Sequence, residues 1–168
     1  LAQDELGKAI QLMTREEFNP VLMEPKNQVF YHSVLAHLYI NAHKWEKAKE
    51  ELNKALAATK KKKQRARLHF ILGQVHEEME EFSSAQTQYV NVLNSKPTVE
   101  LDFQARMKKA LSALRNGSSA LVAKTELLKM LEESKYADYK DQILYTLALM
   151  AEEQGETTEA KQLLARSI

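Results

Sequence analysis

The chain has 168 residues, 44% of them hydrophobic and 28% charged, with a formal net charge of +1. This balance fits one domain or a short array with a real core, and it exerts no global pull toward nucleic acid or membrane. The absence of cysteine excludes disulfides, thiol catalysis and Cys-type metal sites, and no apolar run approaches the roughly 20 residues that a membrane span needs.

Helical periodicity dominates from the start. Residues 1–15 read as a helix with Leu6, Ala9, Ile10 and Met13 on one side, and Pro20 and Pro25 then make 16–27 a connection. Val29 to Asn41 is the next helix and Trp45 to Thr59 its partner, with Lys60 to Lys63 as a charged corner. Arg65 to Glu80 and Ser83 to Asn94 follow, stopped by Pro97. A helix over 99–115 ends at the Asn116-Gly117 turn, and Ser118 or Ser119 caps the one that runs to Glu133. Asp138 or Asp141 starts the last long helix, Gly155 ends it, and Thr157 or Thr158 caps the final one. Nine helices are predicted, the first being the second half of a preceding hairpin. The chain opens on Leu1 and closes on a helical phrase, so both ends are expected to be cut from a longer protein.

A repeat organises these elements. Ala48, Ala85, Ala123 and Ala160 stand 37, 38 and 37 residues apart, and each is followed four places on by a bulky apolar residue: Leu52, Tyr89, Leu127 and Leu164. A fifth copy, Ala2/Leu6, opens the chain. The alanine lets two helices approach closely, and the large residue fills the space beside it. Small residues recur in the first helices too, as Ala36, Gly73 and Ala148, each after a leucine. Gly73 in mid-helix costs about 1 kcal/mol relative to alanine, which points to close packing. Periodicity in this range means stacked supersecondary units.

The pattern resembles the tetratricopeptide repeat. His32, Leu35-Ala36, Tyr39, Ala48, Leu52 and Ala55 form the first full copy, and His69, Leu72-Gly73, His76, Ala85, Tyr89 and Pro97 the second. Leu144, Leu147-Ala148, Ala151, Ala160 and Leu164 form the last. The copy between Leu101 and Glu133 is degenerate, with Lys108-Lys109-Ala110 where Leu-Gly belongs, and Trp45 and Phe82 match the family's turn aromatic. The resemblance implies an all-α, right-handed solenoid of helix-turn-helix hairpins, divided as 1–27 (a second-helix half plus connection), 28–64, 65–98, 99–137 and 138–168. More narrowly, the run from Lys60 to Gln74, then Asn94-Ser95-Lys96-Pro97, Glu100 to Arg106 and Tyr139 to Tyr145 is similar to the tetratricopeptide lipoproteins of the Bacteroidetes type IX secretion and gliding-motility apparatus. That similarity implies an adaptor on the periplasmic face of the outer membrane, held by an anchor outside this chain, with secretion components as partners. A cytosolic peptide-binding module is one alternative, and a nucleic-acid or lipid-surface contact through the lysine run is another.

In the family the first helix of each hairpin lines the concave groove. Here that face is expected to present Phe30, Ser33, His37, Arg67, Phe70, Gln74, Gln104, Met107, Lys108, Tyr145 and Leu149, which suits an extended peptide or an inserted helix. Phe30 and Phe70 have the competing role of packing between hairpins. Ser33/His37 and Phe70/Gln74 stand where the family's Lys/Asn carboxylate clamp would lie, so chaperone tails are not the expected ligand. Lys60, Lys61, Lys62 and Lys63 with Arg65 and Arg67 are a candidate basic contact for phosphate, an acidic partner or an anionic lipid surface. Glu77, Glu78, Glu80 and Glu81 follow close behind, so a solvated corner is the preferred reading, with those acids paired to lysines of a neighbouring repeat or a second copy.

No metal or cofactor is expected. His69 and His76 are about 10 Å apart by helical rise, and His32 and His69 occupy one repeat-equivalent packing position. There is no His-Glu-x-x-His motif, phosphate loop or nucleophile elbow, and helix-face carboxylates such as Glu50 have i,i+4 partners such as Lys54, so no catalytic residue is assigned.

Overall fold

The computed structural model describes residues 2–15, 23–117 and 120–167. Among them it forms helices and no strand. Helix α1 spans Ala2–Met13, and four hairpins follow: α2 (Pro25–Asn41) with α3 (Trp45–Ala58), α4 (Lys62–Glu78) with α5 (Phe82–Asn94), α6 (Val99–Arg115) with α7 (Ala120–Glu132), and α8 (Lys140–Glu153) with α9 (Thr157–Arg166). A short 3-10 helix, Ser134–Tyr139, precedes α8.

Several ends differ from expectation for identifiable reasons. Pro25 begins α2 instead of interrupting the chain before it; the first helical position needs no N–H, so proline is at home there. Lys62 and Lys63 are already helical, which shortens the charged corner. Neither Asp138 nor Asp141 starts α8, because the 3-10 turn delivers Tyr139 as the residue before it. Thr157 does not cap α9 either: the capping position is Glu156, and no side chain bonds the free amides. The Ser118 and Ser119 cap lies outside the described residues. Gly117 and Gly155 end their helices with φ of 67° and 77°, a left-handed turn that glycine adopts without strain.

The core follows the repeat. Ala48, Leu52, Ala85, Tyr89, Ala123, Leu127 and Ala160 are all buried, as are Ala36, Gly73 and Ala148 in the first helices. Gly73 shows why a small residue is required: a Cβ built there would lie 2.6 Å from Cε1 of Tyr89. The last phrase departs from the pattern. Leu164 is 38% exposed and Leu163 takes the buried place, since no further helix among the described residues covers the outer side of α9. The Ala2 side chain lies outside the described set, and Leu6 is half-buried.

Buried side chains form three clusters in series. One joins α1 to α4 through Leu35, Leu52 and Leu72, a small one centres on Tyr89, and one joins α6 to α9 through Leu127, Tyr136 and Leu147. Each helix packs on its chain neighbours, and successive first helices α4, α6 and α8 touch one another. The described helices thus stack as a ramp and do not wrap one shared centre.

Candidate functional site

A polar pair closes each of the first three hairpins at one repeat-equivalent position. In α2/α3 the His32 Nδ1 and Glu51 Oε2 lie 2.6 Å apart, both buried, and Lys54 donates to the other Glu51 oxygen at 2.6 Å. In α4/α5, 37 residues on, His69 Nδ1 meets Gln88 Oε1 at 2.9 Å. In α6/α7, Arg106 Nη1 donates to Glu126 Oε1 at 2.9 Å and Nε to Asp102 at 3.1 Å. The fourth hairpin has Ile143 and Leu163 at these places, both buried. His32 and His69 are therefore hydrogen-bonded clasps and not simple packing residues. The Glu50/Lys54 partnership expected on α3 gives way to Lys54 with Glu51, because the paired histidine holds Glu51 within reach.

Between hairpins a second set of pairs sets the stacking. Lys49 reaches Glu81 at 3.6 Å, and Lys124 reaches Glu156 at 3.4 Å and Glu159 at 2.8 Å. Lys108 of α6 donates to Glu77 of α4 at 2.7 Å, and the buried Ser112 donates to its other oxygen at 2.8 Å. Two of the four acids after α4's midpoint thus pair with lysines of neighbouring hairpins, Glu77 with Lys108 and Glu81 with Lys49. Tyr89 is buried nearby, its hydroxyl without a hydrogen-bond partner among the described residues; burial first, and the Glu77 carboxylate second, push its pKa up, so it stays protonated.

The first helices present a groove of about 660 Å³ across α4, α6 and α8. Six expected residues line it: Phe70, Gln74, Gln104, Met107, Lys108 and Tyr145. Phe70 divides its surface between the groove and Tyr89 of its own hairpin, with ring centroids 5.7 Å apart. Tyr145 stands 52% exposed. Lys108 is partly committed to Glu77, and Met107 is largely buried.

The other expected residues lie elsewhere. Phe30, Ser33, His37 and Arg67 line a separate hollow of about 330 Å³ between α2 and α4, with Val29, Leu68 and Ile71 as its apolar floor. Phe30 is 71% exposed, so it does not serve as packing between hairpins. Leu149 borders neither cavity, although it remains exposed one turn beyond Tyr145. Sequence reasoning missed Phe103, Leu111, Gln142 and Thr146 of the larger groove, which sit one turn, or one residue, from residues it chose. Ser167 also lines it from the end of α9 and carried no signal in the pattern.

The basic run separates into two environments. Lys60, Lys61, Lys62 and Lys63 are exposed, and none makes an ion pair among the described residues. Arg65 is not a free contact: its Nη1 donates to the carbonyls of Leu56 at 3.0 Å and Thr59 at 3.3 Å, satisfying the open end of α3. His69 and His76 each have their own partner, Gln88 and Glu81, and no three His, Asp or Glu side chains among the described residues converge as a metal would require.

No model of a known protein family matches the chain, and no curated protein matches it. Among solved structures it is similar to the crystal structure of MamA, at a TM-score of 0.71 and 19% identity, over 99% of this chain and 88% of that one. The fold is a tetratricopeptide-like helical solenoid.

Proposed function

We propose that this chain is a non-enzymatic scaffold that holds partner proteins on the face made by its first helices. The observation that carries this reading is the groove across α4, α6 and α8, in which Phe70, Met107 and Tyr145 supply apolar contact and Gln74 and Gln104 supply hydrogen-bonding groups. Hairpins closed by part-buried clasps in α4/α5 and α6/α7 and by an apolar pair in α8/α9 form this face before any partner arrives, so little ordering cost falls on binding. Crosslinking and mass spectrometry of the full-length protein in its native cell tests the reading. Crosslinks from partner proteins to α4, α6 and α8 are expected, with Tyr145→Ala and Gln104→Ala weakening capture. Partners that map only to the second helices, and tolerate both substitutions, would overturn it.

The narrower reading is an adaptor of a secretion or gliding machine on the periplasmic face of the outer membrane. Its support is the sequence similarity that runs from Lys60 to Gln74 and through Tyr139 to Tyr145. A signal sequence ending in a lipidated cysteine in the full-length protein, and secretion components among the crosslinked partners, are the expected results. A leaderless start and soluble peptide-bearing partners would assign the chain to the cytosolic alternative.

A further inference from the structure

Charge is distributed unevenly over the pairs described above. Lys49, Lys54, Lys108, Lys109, Lys124 and Arg106 all contact carboxylates. The cations around the hollow between α2 and α4 differ. Arg67 and Lys63 are exposed and make no ion pair among the described residues, and only Lys26 has one, with Glu24 at 3.0 Å on an exposed edge. Among the described residues, no acidic residue lines that hollow. Its rim is Lys26, His37 and Arg67, and its floor is apolar, with Val29, Ala36, Leu68 and Ile71.

The hollow has a neighbour on the same face. Gln64 and Arg67 line both it and an adjoining cavity of about 540 Å³ that includes Lys63 and Glu100. Gln104 in turn lines both that cavity and the larger groove. The three spaces lie in series along the first helices, basic at the α2/α4 end. At the α6/α8 end Lys108 is engaged by Glu77, and Asp141 adds a carboxylate to the wall. Lys60 to Lys63 extend the positive field beside the basic end. Their place at the N-terminus of α4, which has no acid in its first turn, opposes the helix dipole, so helix stability does not account for them.

We propose that the hollow between α2 and α4 takes an acidic segment of a partner protein, seating one apolar side chain against Val29, Leu68 and Ile71 with flanking carboxylates on Arg67, Lys63 and Lys26. This rests on the scaffold reading above and adds to it the partner's chemistry and its direction: the acidic end lies toward α2. Apolar burial in the hollow anchors the segment, and the cations, of which Arg67 and Lys63 make no ion pair among the described residues, select it over neutral and basic sequences. A basic segment finds no counter-charge in the hollow and is repelled from its rim.

Fluorescence anisotropy with labelled synthetic peptides of about twelve residues tests this on the full chain. The probes are a peptide alternating glutamate and leucine, its glutamine and lysine analogues, and a glutamate peptide with serine for leucine. The acidic leucine peptide is expected to bind at least about tenfold tighter than the other three, and to weaken as salt rises. Lys63→Glu with Arg67→Glu should weaken it by about tenfold or more, with the helical circular-dichroism signal unchanged because both side chains are exposed. Leu164→Ala, exposed on α9 away from these spaces, should leave this peptide's affinity unchanged.

Equal binding of the glutamine or lysine analogue, equal binding of the serine peptide, no binding of the acidic leucine peptide, or indifference to the charge reversal each overturns the proposal. So does sedimentation showing a dimer that the reversal dissociates, since the occupant would then be a second copy. In any of these cases the scaffold reading is judged separately, by whether native partners still crosslink to α4, α6 and α8.

Discussion

The first and last hairpins solve the same spatial problem with opposite chemistry. In α2/α3 the position is closed by His32 and Glu51, buried and 2.6 Å apart; in α8/α9 it is closed by Ile143 and Leu163. The backbone relation is the same, since each pair stands at the same step of the repeat. Packing thus requires that the two side chains meet, and leaves open whether they meet by hydrogen bond or by dispersion. The difference lies in what failure costs. An apolar pair that loses a partner leaves a cavity, whereas a polar pair that loses a partner leaves a buried group without its hydrogen bond.

The most direct way to break this comparison is to orphan His32. Glu51→Ala is expected to destabilise the chain by about 3 kcal/mol, because it removes one side of a buried ionisable pair. Converting the clasp to the chemistry of the fourth hairpin, with His32→Leu and Glu51→Leu together, should return stability to within about 1 kcal/mol of the parent. Urea midpoints of the three proteins check both statements. A double variant no more stable than Glu51→Ala would mean that the polar clasp does something an apolar one cannot.

A smaller effect is expected from Gly73→Ala in the second hairpin. The added Cβ meets the Tyr89 ring at 2.6 Å, and that ring is buried on every side. Overpacking costs about 1–3 kcal/mol and the gain in helix propensity offsets about 1, so the net loss is about 0–2 kcal/mol. Adding Tyr89→Leu should recover part of that loss, and failure to do so in thermal unfolding would remove the close-approach account of Gly73.

The smallest effect concerns the His69 clasp and pH. Burial lowers the pKa of His69, the hydrogen bond that its ring donates to Gln88 Oε1 opposes that, and the Arg65 charge lowers it further. The folded state therefore favours neutral His69, while the unfolded chain takes up a proton below about pH 6.5. Stability from this residue is fully present above that pH and declines as pH falls from there toward the depressed folded value. His69→Gln should reduce the drop in melting temperature between about pH 7.5 and 5.5. An unchanged drop would place the acid sensitivity elsewhere.

Much of this was legible in the residues themselves. The recurrence of Ala48, Ala85, Ala123 and Ala160 required close-packed hairpins, and the glycine at 73 announced its tight contact, because only steric demand justifies a helix-interior glycine. Choosing first-helix positions by hairpin spacing reached six residues of the larger groove, but it ran both cavities together and included Leu149, which faces neither. Side-chain direction within a helix face depends on how far each hairpin rotates against the next, and no spacing rule carries that angle.

The sequence alone determined the unit, its period and the places where helices must touch, since these follow from side-chain volume repeated at a fixed interval. Tertiary structure decided what each touching pair is. His32 found Glu51, Arg65 folded back onto the carbonyls of α3, and Arg67 was left facing outward two residues later. Partners such as these are set by distances across helices that are separate in the chain. A hydrogen bond forms or fails over a few tenths of an ångström, and periodicity has no such resolution.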